Sequence, residues 1–439
     1  MVLLHVGFDD TDSLRGGCTT YICAVLVEHL SKFGVKFVDY PLLIRLNPNI
    51  PFKTRGNGCV CLRLDVEREN IEKVKELVLK EVRRLADLSS TETEPGVAFL
   101  LGEVPSELKN LSEKALHDVV DLNDALRTAE RCGVEIHTFK SEGRGIIGAL
   151  AAIGEKLEGD HTYELITYRK PENWGKPRKV DAESVREMDR LTKPNTFNNI
   201  DGDRILITPH GPDPVLYGIR GESPEILLKA HAIVKVYEPI ERWVIFRSNQ
   251  GTDAHLCVKR KVNELRPYMS AVIEGVVSSK PVIAQGGHVY FKVRDETGEI
   301  NCAAYEPTGD FRKVVLDLIP GDIVRIYGGI RPPSPLHPQT LNIEKIEIVK
   351  LAPLVKTFNP FCPRCGKRAS SAGKGQGFKC KKCGEKFFAE KIVVTLNRNL
   401  SESLYIPPPR AQRHLTRPYS RINKINTPPK TLVNPWHFP

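Results

Sequence analysis

Two Cys-x2-Cys knuckles near the C-terminus constrain this chain more than any other feature. Cys362-Pro363-Arg364-Cys365-Gly366 and Cys380-Lys381-Lys382-Cys383-Gly384 stand fourteen residues apart. Each knuckle turns tightly enough for both thiolates to meet one ion, and the glycine after the second cysteine permits the turn. Cys362, Cys365, Cys380 and Cys383 together close a tetrahedral Zn²⁺ site with no open position, so the zinc expected there is structural. A small metal-held ribbon, placed at residues 353–400, cannot account for a chain of 439 residues, and three or four domains are expected.

The upstream pattern divides accordingly. Residues 1–195 alternate strand-like runs (Phe37 to Leu46, Cys59 to Val66, Val134 to Phe139, Thr162 to Tyr168) with helical spacing from Asn70 to Leu88 and Ile146 to Leu157, an α/β region. Residues 196–262 read as strand, strand, helix, strand (Arg204 to Thr208, Val215 to Ile219, Ser223 to Val234, Arg242 to Phe246), which suits a ferredoxin-like unit. In 263–352, short strands alternate through Val272, Glu274 and Val276, then Val289, Phe291 and Val293, then Ile300, Cys302 and Ala304. A helix and two more strands follow, the order of an OB-fold barrel. The fold class expected is therefore a multidomain α+β and α/β chain.

Formal net charge is +10, which favours a polyanionic partner. Lys367, Arg368, Lys374, Lys379, Lys381 and Lys382 surround the knuckles, and the 401–439 tail carries Arg410, Arg413, Arg417, Arg421, Lys424 and Lys430 with no acid after Glu402. Ribbon and tail are thus expected to meet nucleic-acid phosphates. Eleven cysteines, with no signal peptide and no apolar run of transmembrane length, fit a reducing, cytoplasmic setting without membrane contact.

Chemistry is expected at the other end. The apolar strand Val2 to Phe8 runs into Asp9-Asp10-Thr11-Asp12-Ser13, where three carboxylates crowd within four residues. Unpaired carboxylates repel one another unless a cation sits between them, so Asp9, Asp10 and Asp12 are candidate Mg²⁺ ligands. Gly16-Gly17-Cys18-Thr19-Thr20 then opens a helix whose first amides can face an anion. No Walker A sequence is present. Gly143-Arg144-Gly145-Ile146-Ile147-Gly148 matches GxGxxG but lacks a long preceding strand, and with Lys140 and Arg144 it reads as an anion-cradling loop. Asn47 to Gly58 and Asn249 to His255 are further polar, glycine-bearing loops of functional type. Ser13, Thr20, Lys53, Arg55, Lys140 and Arg144 are the candidates to hold a bound polyphosphate.

These motifs together, with Arg45-Leu46-Asn47-Pro48 and Tyr217-Gly218-Ile219-Arg220-Gly221-Glu222-Ser223, resemble the archaeal isoleucine-tRNA 2-agmatinylcytidine synthetases along nearly the whole chain. The resemblance implies a kinase-like catalytic domain, a ferredoxin-like domain, an OB-fold and a zinc ribbon. It implies ATP-dependent joining of agmatine to C2 of the wobble cytidine of an AUA-reading isoleucine tRNA, releasing AMP and phosphate. Phosphorylation of the cytidine 2-oxo group would activate it, and an autophosphorylated threonine matches Thr19, the metal-binding acids Asp9, Asp10 and Asp12. A non-catalytic nucleic-acid-binding protein is the rival reading, but it leaves the three acids without a role. A zinc-dependent hydrolase is disfavoured because the four-cysteine site leaves no place for water.

Overall fold

The computed structural model describes residues 1–54, 56–335 and 337–439. Strand β1 (Val2–Asp9) pairs antiparallel with β3 (Gly58–Val66) on one side and β4 (Gly96–Leu101) on the other. Helix α1 (Thr19–Lys32) leaves the end of β1; β2 (Leu42–Arg45) pairs with β3, and α2 (Ile71–Leu85) returns to β4. Helices α3 (Ser106–His117) and α4 (Leu122–Arg131), the edge strand β5 (Glu135–Thr138) and α5 (Gly145–Gly154) complete the first unit. Local chemistry sets the helix starts. Asp121 accepts from the amides of Asn123 and Asp124 ahead of α4.

The second unit follows: β6 (Thr162–Arg169), α6 (Ala182–Thr192), β7 (Thr196–Phe197), β8 (Val215–Gly221), α7 (Pro224–Ile233) and β9 (Ile240–Ser248). Ser223 caps α7, with Pro224 at its first position. The spatial order β9-β6-β8-β7 is the 4-1-3-2 order of a ferredoxin-like sheet. This unit therefore begins at Thr162, and a border at 195/196 falls inside it, between α6 and β7. Arg204 to Thr208 is not one of its strands; Arg204–Ile205 instead pairs with Ile200–Asp201 in a separate hairpin.

Both units share one sheet, in the order β5-β4-β1-β3-β2-β9-β6-β8-β7, joined by the parallel pairing of β9 with β2. One face packs Leu4, Val6 and Phe8 against α1 and α2 and continues to Met188 and Leu227 of the second unit. The other packs Leu42, Ile44 and Cys59 against α3, α4 and α5. Chain direction, followed through the pairings, brings the carboxyl ends of β1, β2, β8 and β9 to the same end of the sheet.

The third unit is a closed barrel of β10 (Ser270–Val277), β11 (Val289–Arg294), β12 (Glu299–Ala304), α8 (Phe311–Leu316), β13 (Ile323–Arg331) and β14 (Thr340–Lys350), the three-strand, helix, two-strand order of an OB-fold. Pairing of β10 with β11 closes it. It sits directly on the first unit: Asn47 Nδ2 donates to Tyr268 O at 2.8 Å and Asn49 Nδ2 to Ser270 Oγ at 2.9 Å. The contact is close enough that a Cβ on Gly329 would stand 2.1 Å from Asn49 Oδ1. Gly329→Ala is accordingly expected to lower stability by about 1–3 kcal/mol, as overpacking does. Urea unfolding checks this, and an unchanged midpoint would mean that Asn49 turns away without cost.

A two-stranded hairpin, β15 (Leu354–Phe358) with β16 (Ile392–Leu396), carries the cysteine ribbon. The chain beyond it is not a solvated basic tail. Arg410 pairs with Asp201 at 2.8 Å and Arg417 with Asp160 at 2.7 Å, while Arg421, fully buried, binds Asp160 and Glu222. Trp436 packs edge-on to Phe37 and Tyr40, and β17 (His437–Phe438) pairs with β9. The last segment is a strap that runs from the barrel back across the first two units, because acids distant in sequence pair with Arg410, Arg417, Arg421 and Lys424 of the cations expected to meet RNA.

Candidate active site

At the shared end of the sheet lies a cleft of about 990 Å³, lined from both units and from the strap. Asp9, Asp10 and Asp12 form its acidic wall. Asp10 takes the left-handed conformation (φ 58°), which re-aims the chain directly after β1, and its Oδ2 accepts from Glu94 N at 3.0 Å. Burial, and after it the charges of Asp10 and Asp12, pushes the Asp9 carboxyl up to about 8. Burial also pushes Asp10 up to about 6, with Asp12 and Glu94 adding to the rise and the Glu94 amide opposing it. Carboxylates raised in this way along one wall are candidate donors for a hard divalent cation, although among the described residues only the four ribbon cysteines are grouped closely enough to hold an ion as they stand.

Of the glycine-rich run only Gly143 and Arg144 lie in a loop; from Gly145 it is the start of α5. Its glycines serve close packing. A Cβ on Gly148 would stand 1.9 Å from Asp9 Oδ2, and one on Gly145 would stand 2.6 Å from Gly96 N and 2.8 Å from Asp9 O. Small residues here let α5 press against the end of β1 and leave room for the Asp9 carboxylate.

Thr19 and Thr20 open α1 at the cleft, and Thr19 Oγ1 lies 3.0 Å from Thr11 Oγ1. Lys53 and Arg144 also line the cleft, with the Arg144 guanidinium 4.2 Å from the centre of the Phe52 ring. Two predicted contacts are placed elsewhere. Ser13 Oγ donates to Asp87 Oδ2 at 2.6 Å, which ties down the turn after the acids. Lys140 Nζ donates to Ser90 O at 2.6 Å and Thr93 O at 2.8 Å and pairs with Glu94, so it holds the 90–94 loop and is not on the cleft wall. Arg55 lies outside the described residues.

Sequence reasoning gave no role to the wall formed by Arg45 at the end of β2, Glu164 on β6, Arg220 on β8 and His414 on the strap. Arg220 Nε donates to Glu164 Oε1 at 3.3 Å, and its Nη2 meets His414 Nδ1 at 2.7 Å. Arg45 and Arg220 stand in the sequence only within the motifs that carry the family resemblance; nothing local to His414 marks it. The Asn249 to His255 loop supports this wall from behind. Asn249 brackets Arg45 through both backbone groups (2.8 and 2.9 Å), Gln250 Nε2 donates to Glu164 Oε2 at 2.5 Å, and Gly251 N donates to His414 O at 2.9 Å.

In the ribbon the four cysteine sulfurs lie within 4.8 Å of one another. Cys362 and Cys383 stand 3.5 Å apart, as do Cys365 and Cys380. A tetrahedral Zn²⁺ with bonds of about 2.3 Å places its sulfurs about 3.8 Å apart, so the four thiolates fit it. Gly366 and Gly384 adopt positive φ (68° and 78°), as the knuckle turns require. Lys367, Arg368, Lys374, Lys379, Lys381 and Lys382 are all exposed, and Arg368 stacks on Phe358 and Phe361.

Comparison with known proteins covers all of these parts. Family models match in order along the chain: the TiaS TCKD domain at residues 5–141, the TiaS FLD domain at 143–255, an OB-fold nucleic acid binding domain at 271–349 and the TiaS C-terminal zinc ribbon domain at 359–400. The isoleucine-tRNA 2-agmatinylcytidine synthetase TiaS of Pyrococcus horikoshii is 47% identical over 95% of this chain and 97% of its own length. A crystal structure of TiaS with isoleucine tRNA and ATP superposes with a TM-score of 0.87 at 40% identity, covering 97% of this chain and 98% of that one. Another, of TiaS with isoleucine tRNA, AMPCPP and agmatine, gives a TM-score of 0.84 at 38% identity over the same shares.

Proposed function

Because this chain belongs to the TiaS family of isoleucine-tRNA 2-agmatinylcytidine synthetases, we infer that it is the ATP-dependent ligase that joins agmatine to C2 of the wobble cytidine of isoleucine tRNA. The observation that carries the reading to this chain's own atoms is the cleft, where three acids at the end of β1 face a wall of cations. Such a site can hold a metal-bound polyphosphate at one side and an anionic nucleic-acid strand at the other.

Cytosine O2 is a poor leaving group. Phosphorylating it lets the primary amine of agmatine form the N–C2 bond while the C2–O2 bond breaks and phosphate departs. Asp9, Asp10 and Asp12 would hold Mg²⁺, which neutralises charge on the transferring phosphoryl group. Thr19 and Thr20 present the first turn of α1 to the phosphates, Thr19 being the candidate phosphoryl acceptor. Among the described residues, Lys53 and Arg144 are the candidate phosphate-holding cations that line the cleft. The barrel and the exposed basic face of the ribbon hold the tRNA. Use of ATP and tRNA supports a cytoplasmic setting for the enzyme; no helix among the described residues is long and apolar enough to cross a membrane.

Labelled agmatine incubated with isoleucine tRNA, Mg²⁺ and the protein is expected to become tRNA-bound only when ATP is present. Incorporation into a tRNA with uridine at the wobble position would contradict the reading. Zinc removal by chelation, or Cys362→Ser, is expected to unfold the ribbon and weaken tRNA binding while ATP affinity stays within about twofold, because structural zinc supplies folding free energy to its own small domain. Calorimetric titration with ATP and filter binding of tRNA check the two halves, and an equal loss of ATP affinity would refute it.

A further inference from the structure

The wall formed by Arg45, Arg220 and His414 has no part in holding the metal, yet it is built with care. Arg220 is fixed at both ends, by Glu164 at Nε and by His414 at Nη2. Arg45 donates from Nη1 to Gly56 O at 3.4 Å, and its buried Nε has no partner among the described residues. Among the same residues no acceptor meets Arg45 Nη2 or Arg220 Nη1. Cations crowd one another here. The charges of Arg45, Arg220 and Arg413, with burial, hold the His414 imidazole well below its ordinary range, Arg45 being the first cause. Burial and then Arg413 lower Lys53, and burial lowers Arg45 against the opposing pull of Glu164. Glu164 stands among these groups on the wall, and Asp9 lies near enough to feel the charge of Arg45, yet the cations outnumber these acids. Agmatine is a dication, so such a wall repels it; the group that completes it is an anion with several acceptor oxygens.

His414 reaches this place because the strap is anchored on both sides of it, upstream where Asn198 Nδ2 donates to Gln412 Oε1 at 3.0 Å. Its own carbonyl accepts from Gly251 N at 2.9 Å, Leu415 O accepts from Asp253 N at 2.8 Å, and Arg417 N donates to Asp253 Oδ1 at 2.8 Å. Since Arg220 is always a donor, His414 Nδ1 must accept, which leaves the proton on Nε2.

We propose that Arg45 and Arg220, with Arg220 aimed by His414 of the C-terminal strap, form a phosphate subsite in the cleft beside the three acids. His414 is a positioning residue that acts through Arg220. The phosphate is either one of the ATP chain or the tRNA phosphodiester beside the wobble nucleotide. This inference rests on the proposed function, but its test reads binding and needs no turnover, so wild-type agmatine incorporation decides the function independently.

The experiment measures ATP affinity without tRNA, and tRNA affinity without ATP across a salt series, in Arg220→Gln, His414→Phe and His414→Asn. Asparagine keeps an acceptor near the place of Nδ1, and phenylalanine keeps only the ring. Arg220→Gln and His414→Phe are expected to weaken one of the two ligands about ten- to a hundredfold, as loss of a charged hydrogen bond does. His414→Asn is expected to stay within about threefold of wild type. A loss confined to ATP assigns the nucleotide's phosphate. A loss confined to tRNA, with the slope of log K against log salt shallower by about 0.7–0.9, assigns the phosphodiester. Wild-type affinity for both ligands in Arg220→Gln and His414→Phe would overturn the subsite, and equal loss in His414→Asn and His414→Phe would overturn the positioning role. Should Arg220→Gln fail to fold, the two His414 variants decide alone.

Discussion

Gly148→Ala is expected to lower turnover by at least about a hundredfold while leaving tRNA affinity unchanged. The new Cβ would lie 1.9 Å from Asp9 Oδ2, 2.6 Å from its Cγ and 2.8 Å from its Cβ. Helix α5 has little room to shift, because it is also wedged against α3, where a Cβ on Gly154 would stand 2.2 Å from Leu108 O. The Asp9 side chain must therefore swing away from Asp10 and Asp12. A displacement of about 1 Å in a group that positions reacting atoms costs about two orders of magnitude in rate. ATP consumption with tRNA and agmatine, measured beside tRNA binding, checks both parts. Wild-type turnover in this variant, with Asp9→Asn inactive, would show that the carboxylate is not needed where the structure puts it.

Arg421→Ala is expected to destabilise the catalytic body by about 3–5 kcal/mol. The guanidinium is fully buried and binds Glu222 at 3.0 and 3.1 Å, Asp160 at 3.0 and 3.1 Å and Gly251 O at 2.6 Å. Its removal leaves two largely buried carboxylates short of their cation, which is the costly way to break a buried ion pair. The strap would loosen seven residues beyond His414, so loss of stability and loss of the Arg220 geometry should come together. Urea unfolding of the full chain checks the magnitude; a change below about 1 kcal/mol would mean that Lys424, 3.9 Å from Glu222, and Arg417 suffice to hold the strap.

Where the controlling interaction is local, the fold was legible in the sequence. The barrel's strand order shows in period-two alternation, and the knuckles carry their own spacing. The acids announce themselves by following an apolar strand. Reading failed where the deciding partner is remote. Thr162 to Tyr168 looks like a strand, but only its pairing with β8 and β9 assigns it to the ferredoxin-like unit. Lys140 looks like a phosphate clamp until the carbonyls of Ser90 and Thr93 are seen to take its donors. The strap is the extreme case. Arg421 and Asp160 are 261 residues apart, so six cations without nearby acids read as an RNA-binding tail although much of their charge is answered inside the protein.

The same logic explains the glycines of 143–148. A GxGxxG string is usually read for what its amides bind, whereas here Gly145 and Gly148 are required by what their missing side chains admit, the end of β1 and the Asp9 carboxylate. Pattern alone does not distinguish a glycine that frees the backbone from one that makes room.

In the proposed mechanism the acids at the end of β1 hold the metal for modification of a cytidine bound by the rest of the molecule. Mass analysis of nucleosides from isoleucine tRNA, incubated with ATP, Mg²⁺ and agmatine and either the wild-type protein or Asp10→Asn, tests it most directly. The account predicts a cytidine carrying agmatine in place of its 2-oxo group with the wild-type protein and none with Asp10→Asn. Unmodified cytidine in both, or the same adduct in both, would contradict it.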